Sequence, residues 1–278
     1  MNRMFSALMG VLLLSCSKDE DANAQSFRSL SVDLGTHTIE TYSIERNSKY
    51  LVVFESGLGD DHKVWKTKKT AETIGKNMDV VIYDRGGYGK SGIDNNPRNI
   101  ERLEAELETV IRQYANGRKV ILAAHSLGGL LIRDYAVKNP EMTAGLLFID
   151  PSHEQYNQPT QEVEDIIYNA FRSSYGQNSG AAREARELRE DFAYAGQLAR
   201  LPDVPVVVLT SMKQDQANTT SDQTYGKKRQ DWYNAHESLK EGVSDFTHVQ
   251  TSASGHYIMK EEPGLVINNF NLLLSKLP

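Results

Sequence analysis

The sequence predicts an α/β fold with a mainly parallel central sheet flanked by helices, and three observations lead to this prediction. Short apolar runs rich in Val, Ile and Leu recur along the chain, as in strands buried on both faces of a parallel sheet. Stretches with helical periodicity separate several of these runs, and strands that alternate with helices form parallel sheets. A length of 278 residues, with 39% hydrophobic and 24% charged residues, fits one large globular domain.

The first two predicted strands form a hairpin, because residues 29–34 and 36–44 alternate polar and apolar side chains around Gly35. Six further strands are expected in the near-continuous apolar runs that follow. These runs are residues 50–55, 80–83, 120–124, 145–149, 204–209 and 246–251.

Helices are predicted where apolar residues recur every three to four positions. In residues 101–114, Leu103, Leu107 and Val110 share one face, and Gly117 follows the predicted end. The same criterion predicts helices at residues 127–137, 265–274, 163–171 and 181–199, the last of them highly charged.

Residues 151–200 interrupt the alternation, because they contain two predicted helices and no convincing strand. A long segment between two strands of an α/β sheet is more often functional than decorative. We therefore expect a helical cap inserted after the sixth strand, with an elaborate crossover as the alternative.

Charge and cysteine content limit the partners. The formal net charge of −6 provides no basic field for phosphate, so no nucleic-acid partner is expected. The single cysteine, Cys16, can form neither an internal disulfide nor a thiolate metal cluster.

The first 15 residues are predicted to be an export signal rather than part of the fold. A basic Arg3 precedes an apolar run at residues 4–14, which is too short to cross a bilayer as a helix. Leu13, Leu14, Ser15 and Cys16 resemble the lipobox of bacterial lipoproteins, in which cleavage leaves a lipidated cysteine at the N-terminus.

This resemblance implies that acyl chains on Cys16 anchor the protein to a bacterial membrane without spanning it. The outer membrane is the expected location. The acidic run after Lys18 is typical of either a surface-export signal or a solvated tether. Residues 16–27 are polar and predicted to be a flexible tether, followed by the folded domain at residues 28–278. An ordinary signal peptide with a chance cysteine is the alternative.

A serine stands where a predicted strand turns into a predicted helix. Ala124, Ser126 and Gly128 form the small-x-Ser-x-Gly pattern of a nucleophile elbow, with Ala124 in place of the usual first glycine. The tight turn requires small residues, and it presents the hydroxyl at a helix N-terminus, where N–H groups favour negative charge. Ser126 is therefore the candidate nucleophile.

Together with the elbow, three motifs resemble the α/β-hydrolase superfamily, in its single-domain, esterase-like branch with an inserted cap. The glycine-rich residues 55–59 follow the third strand, YDRGGYGKS at 83–91 follows the fourth, and LFIDPSHE at 147–154 precedes the cap. The similarity spans about residues 50–277.

The resemblance implies a serine hydrolase that cleaves an ester, or a related acyl bond, of a small molecule through an acyl-enzyme. It implies no metal and no organic cofactor. It also excludes haloalkane dehalogenase and epoxide hydrolase chemistry, because those relatives need aspartate at the elbow.

Roles for further residues follow from the same resemblance. The backbone N–H groups of Leu58 and Leu127 are expected to form the oxyanion hole. His256, after the last strand, is the expected general base, because imidazole titrates near neutral pH and histidine comes last in this family's order.

The acid of the triad has two candidates. Asp150 ends the sixth strand, whereas Asp215 follows the seventh strand, where most relatives carry the acid. Residues 210–215 fit the usual glycine-containing acid turn poorly. Asp150 is therefore the favoured prediction and Asp215 the alternative.

Two other functions are consistent with the sequence. One is a catalytically inactive surface lipoprotein that uses the hydrolase fold to bind a ligand or partner. The other is an acyltransferase that prefers an alcohol to water. The presence of the serine, the histidine and the glycine-rich loop favours an enzyme. The sequence leaves the oligomeric state open.

Overall fold

A single eight-stranded sheet forms the centre of the computed structural model, which describes residues 26–213 and 229–278. In chain order the strands are β1 Arg28–Asp33, β2 Thr38–Ile44, β3 Leu51–Glu55, β4 Asp79–Asp84, β5 Val120–His125, β6 Thr143–Ile149, β7 Val206–Ser211 and β8 Phe246–Thr251. Their spatial order is β1-β2-β4-β3-β5-β6-β7-β8. The pairs β1–β2 and β2–β4 are antiparallel and all others are parallel, which confirms the predicted fold class.

Helices flank both faces of the sheet. In the described ranges these are α1 Lys63–Lys66, α2 Thr70–Ile74, α3 Ile100–Ala115, α4 Gly128–Lys138, α5 Gln161–Tyr175, α6 Gly180–Ala185, α7 Leu188–Ala195, α8 Arg229–Glu237, α9 Ile258–Glu261 and α10 Pro263–Ser275. None of the helices in residues 26–213 and 229–278 has the length and apolar character needed to cross a membrane.

Strand β3 shows why the central strands are continuously apolar. Leu51 and Val53 belong to the core that includes α3 and α4, whereas Val52 and Phe54 belong to the core on the opposite face, with α2 and α10. Successive side chains of a strand point to opposite faces, so a strand covered on both sides has no solvated position.

The segment between β6 and β7 contains α5, α6 and α7. We call residues 151–205 the helical insertion. The insertion contacts the loops that follow β3 and β4: Gly180 N donates to Gly87 O at 3.1 Å, and the Phe171 ring leaves no space for a side chain at Gly59.

The prediction of one helix at residues 181–199 is wrong. Tight i→i+3 bonds, from Arg186 N to Arg183 O and from Glu187 N to Glu184 O, end α6, and α7 begins at Leu188. The charges of this segment are also not all solvated, because Glu184 and Asp191 are 0% and 1% exposed.

Asp191 is a buried carboxyl group with few partners. Its Oδ1 accepts from the N–H of Ile100 at the start of α3, at 2.9 Å. Its Oδ2 has no hydrogen-bond partner among the described residues. Burial raises the pKa of Asp191 to about 8, despite the bond from Ile100, so the carboxyl group is protonated at neutral pH.

We expect Asp191→Asn to remove a pH dependence of stability. The unfolded pKa is about 3.9, so unfolding releases a proton from Asp191 between about pH 4 and pH 8, and stability falls as the pH rises. An amide stays neutral and can still accept from Ile100. The variant should therefore gain stability over the wild type with rising pH, up to about 6 kcal/mol above pH 8.

Urea unfolding at a series of pH values measures this difference. Asp33→Asn is the control, because Asp33 also accepts one backbone N–H but is exposed. A constant difference between Asp191→Asn and the wild type from pH 4 to pH 9 would contradict the prediction.

Candidate active site

Ser126 occupies the sharp turn between β5 and α4. Its φ of 53° lies in the left-handed region, which is costly for a residue with a side chain. Backbone bonds hold the turn, since Ser126 O accepts from the N–H groups of Gly129 and Ser152, both at 2.9 Å. A side chain at Gly128 would approach the backbone oxygen of Ser56 to 2.7 Å, which explains the small residue there.

A chain of two hydrogen bonds connects the Ser126 hydroxyl to a buried carboxylate. His256 Nε2 lies 2.9 Å from Ser126 Oγ, and His256 Nδ1 lies 2.7 Å from Asp150 Oδ2. A carboxylate only accepts, so Nδ1 carries the proton and Nε2 is left to accept from the serine hydroxyl. The structure thus brings together three residues that the sequence singled out. The alternative acid, Asp215, lies outside the described residues.

The side chain of Asp150 is fully buried, and both of its oxygens are bonded. Oδ2 accepts from His256, while Oδ1 accepts from Ser211 N at 2.8 Å and from Trp232 Nε1 at 2.7 Å. Burial raises the pKa of Asp150, but the hydrogen bonds from His256 Nδ1 and from the Ser211 N–H outweigh it. The pKa lies below its ordinary value, so the carboxyl group is ionised.

Sequence reasoning did not find Trp232 or Ser211 as parts of this site. Ser211 contributes a backbone N–H at the end of β7, which no side chain reveals. Trp232 lies on α8 and is 5% exposed. A buried indole N–H needs an acceptor, but a single sequence does not indicate which one.

The loop after β3 lies against the nucleophile. A Cβ at Gly57 would be 3.0 Å from the Cβ of Ser126 and 2.9 Å from Nδ1 of His125, so only glycine fits without displacement. Leu58 follows directly, and Leu127 follows the serine. Within the described ranges, neither of these two N–H groups has an intramolecular acceptor.

His125 forms a hydrogen bond with the backbone of His256. Its Nε2 donates to the backbone oxygen of His256 at 3.0 Å, and the two rings lie 4.5 Å apart. Burial and the nearby His256 lower the pKa of His125, against the opposing effect of Asp60, so the ring stays neutral. His153 Nε2 lies 3.3 Å from the Ser238 hydroxyl.

One group of potential metal ligands occurs in the part of the chain that the structure describes. The ligand atoms of Asp61, His62 and Asp84 lie within 4.8 Å of one another. However, Asp84 Oδ1 already accepts from the backbone N–H of His62 at 2.9 Å and pairs with His62 Nδ1 at 2.7 Å. The carboxylate and the imidazole thus satisfy each other.

Comparison with known families decides the family of this chain. The family described as alpha/beta hydrolase fold matches residues 50–267. The chain belongs to the α/β-hydrolase fold family. The resemblance to the α/β-hydrolase superfamily that the sequence shows is thereby confirmed.

Related sequences differ in how much they share with this chain. Uncharacterized protein YqjL of Bacillus subtilis is 24% identical over 238 residues, which cover 83% of this chain and 88% of YqjL. A proline iminopeptidase of Saccharolobus solfataricus is 30% identical over 173 residues, 59% of this chain and 54% of the peptidase. The human (Lyso)-N-acylphosphatidylethanolamine lipase is 30% identical over 114 residues, 40% of this chain and only 33% of the lipase.

Solved structures of this family share the fold. A thermophilic esterase from Thermogutta terrifontis superposes with a TM-score of 0.66 at 17% identity, covering 90% of this chain and 98% of the esterase. E-2-(Acetamidomethylene)succinate hydrolase gives 0.67 at 17% identity, with 90% and 99% covered. At these identities the likeness concerns the fold. Family membership and these hydrolase neighbours support a hydrolytic role.

We expect Trp232→Phe to destabilise the protein more than Trp65→Phe. Both indoles are buried, but Trp232 donates to the ionised Asp150, whereas Trp65 donates to the neutral hydroxyl of Ser56 at 3.0 Å. Hydrogen bonds to charged groups contribute about 1.5–3 kcal/mol and neutral ones about 1 kcal/mol. The two substitutions remove similar volumes, so the difference isolates the charge on the acceptor.

Urea unfolding of both variants at pH 7 gives the two losses of free energy. The loss for Trp232→Phe should be larger by about 1 kcal/mol. Equal losses would mean that Asp150 does not depend on the indole N–H.

Proposed function

We propose that this chain is a serine hydrolase that cleaves an ester, or a related acyl bond, of a small molecule. The observation that carries the proposal is the chain of bonds from the Ser126 hydroxyl through His256 to the buried Asp150. The hydrolase family supports the reaction class. The His256 side chain is 41% exposed, so substrate and water can reach it.

Acylation would begin with attack of Ser126 Oγ on the substrate carbonyl carbon. His256 Nε2 takes the hydroxyl proton, and the ionised Asp150 stabilises the resulting imidazolium. The carbonyl oxygen becomes an oxyanion and accepts from the N–H groups of Leu58 and Leu127. As the bond to the leaving group breaks, His256 returns the proton to that group and the acyl-enzyme remains.

Deacylation would repeat the sequence with water as the nucleophile. His256 takes a proton from the water, the hydroxide attacks the acyl carbon, and the same N–H groups hold the second oxyanion. Ser126 then leaves as the alcohol after regaining the proton from His256. The chain's own residues suffice for each of these steps.

A fluorophosphonate probe tests this assignment on the full chain. We expect covalent labelling at Ser126, located by mass spectrometry, because the probe reacts with an activated serine. Ser126→Ala should abolish labelling, and His256→Ala should reduce it by several orders of magnitude. Absence of labelling in a folded wild-type sample would overturn the hydrolase proposal and favour a binding function.

A comparison of two variants tests the choice of acid. Asp150→Asn should lower kcat for a reactive ester by about 10⁴-fold, because the imidazole loses the partner that fixes its tautomer and stabilises its cation. Asp215→Asn should leave kcat within about twofold of the wild type. The reverse order would assign the role to Asp215. Adding an alcohol to the assay shows whether the acyl group goes to the alcohol or to water.

We also propose that Cys16, which lies outside the described residues, carries the lipid that anchors the protein to a bacterial membrane. Expression in a bacterium fed radioactive palmitate tests this. The wild type should incorporate label and partition with membranes, and Cys16→Ser should do neither. A wild-type protein that incorporates no palmitate but has lost mass by cleavage would indicate an ordinary signal peptide.

A further inference from the structure

Leu58, whose N–H is proposed to hold the oxyanion, lies between two fixed backbone groups. On one side, the carbonyl oxygen of Gly57 accepts from Arg85 Nη2 at 3.0 Å. On the other side, the N–H of Gly59 donates to the hydroxyl of Tyr88 at 3.2 Å. Arg85 also donates through Nη1 to Ser56 O at 2.6 Å, so its guanidinium holds two consecutive carbonyls of this loop.

The Gly57 carbonyl, which accepts from Arg85 and also from the N–H of Asp60 at 3.3 Å, sets the direction of the Leu58 N–H. In a trans peptide the C=O of one residue and the N–H of the next lie in one plane and point in opposite directions. The described residues contain no cis peptide bond. Because Arg85 holds the Gly57 carbonyl on its own side, the Leu58 N–H must point away from Arg85.

Both anchors of Leu58 meet at one carboxylate in the helical insertion. Glu184 on α6 accepts from Arg85 Nε at 2.9 Å and Nη2 at 2.8 Å, which is a forked arginine–carboxylate pair. The same Glu184 accepts from the Tyr88 hydroxyl at 2.7 Å. Glu184 is fully buried and Arg85 is 2% exposed, so water does not substitute for these partners.

A second carboxylate keeps the guanidinium oriented. Glu55, the last residue of β3, accepts from Arg85 Nη1 at 2.7 Å and also from the Tyr83 hydroxyl. Arg85 therefore lies between an acid of the sheet and an acid of the insertion. Its planar fork cannot rotate without losing one of them, and lysine, a point charge, would not reproduce this geometry.

We propose that Arg85, Tyr88 and Glu184 are positioning residues of the oxyanion hole, and that docking of the helical insertion through Glu184 directs the Leu58 N–H. This inference rests on the proposed serine hydrolase function. None of the three residues touches the reacting atoms. Their effect is on the transition state, because the oxyanion forms only there, and less on the binding of the ground-state ester.

The test uses two esters that differ only in the atom that becomes negative: p-nitrophenyl acetate and p-nitrophenyl thionoacetate. Sulfur is a larger and weaker hydrogen-bond acceptor, so an intact oxyanion hole strongly favours the oxygen ester. A merely structural role would slow both esters alike. Loss of oxyanion positioning would slow the oxygen ester selectively and reduce the ratio of kcat for the oxygen ester to kcat for the thiono ester.

The informative variants are Tyr88→Phe, which keeps the ring and removes one hydroxyl, and Glu184→Gln. We expect kcat for the oxygen ester to fall about 10- to 100-fold in each, with KM changed far less, because removal of one oxyanion donor costs about 10²–10³ in kcat. Glu154→Gln is the matched control: Glu154 pairs with Arg133 at 2.6 and 2.9 Å and joins the insertion to α4 away from Leu58. It should keep both kcat and the ratio.

The outcomes separate this inference from the function on which it rests. A wild type that hydrolyses neither ester and is not labelled at Ser126 overturns the proposed function, and this inference with it. An active wild type, with Tyr88→Phe equal to it in both kcat and ratio, overturns the inference alone. If Glu184→Gln does not fold, Tyr88→Phe decides, since its melting temperature is measured in the same samples.

Discussion

The ionised carboxylate of Asp150 is fully buried, and three separate parts of the fold supply the hydrogen-bond donors that stabilise it. Ser211 ends β7, Trp232 lies on α8, and His256 follows β8. Burying an unpaired charge costs far more free energy than burying an unpaired neutral polar group. The ends of three neighbouring strands, and the helix packed over them, must therefore assemble correctly before this carboxylate can be ionised. The orientation of His256 depends on that assembly.

The group around Arg85 follows the same principle in the loops next to Ser126. Glu55 and Glu184 present two carboxylates to one guanidinium, and burial raises the pKa of Glu55 even though Arg85 and Tyr83 oppose the shift. Two tyrosine hydroxyls complete the set of donors. The consequence is that the helical insertion is attached to the loop beside the nucleophile by charge as well as by packing.

The features predictable from sequence are those with a local signal. Periodicity identified the strands and α3, and the small residues around Ser126 identified the turn from β5 to α4, because both patterns lie within a few positions. Trp232 and Glu184 have no such signal. Trp232 acts through Asp150, and Glu184 acts through Arg85, each far away in sequence. In addition, a charged residue in a helix, such as Glu184, normally faces water, so nothing in the sequence marks it as buried. The break between α6 and α7 was missed for a similar reason, since no proline or glycine marks it.

The bonding capacity of His256 supports Asp150 as its partner. The ring has one N–H available on the side away from Ser126, at Nδ1, and Asp150 Oδ2 accepts it at 2.7 Å. A second carboxylate at that position would need another N–H and would place two like charges in contact. The remaining oxygen of Asp150 is held by Ser211 N and Trp232 Nε1, so the carboxylate cannot turn away from the imidazole without leaving two buried donors unpaired. The orientation of the proposed base is thus fixed by donors that never contact the substrate.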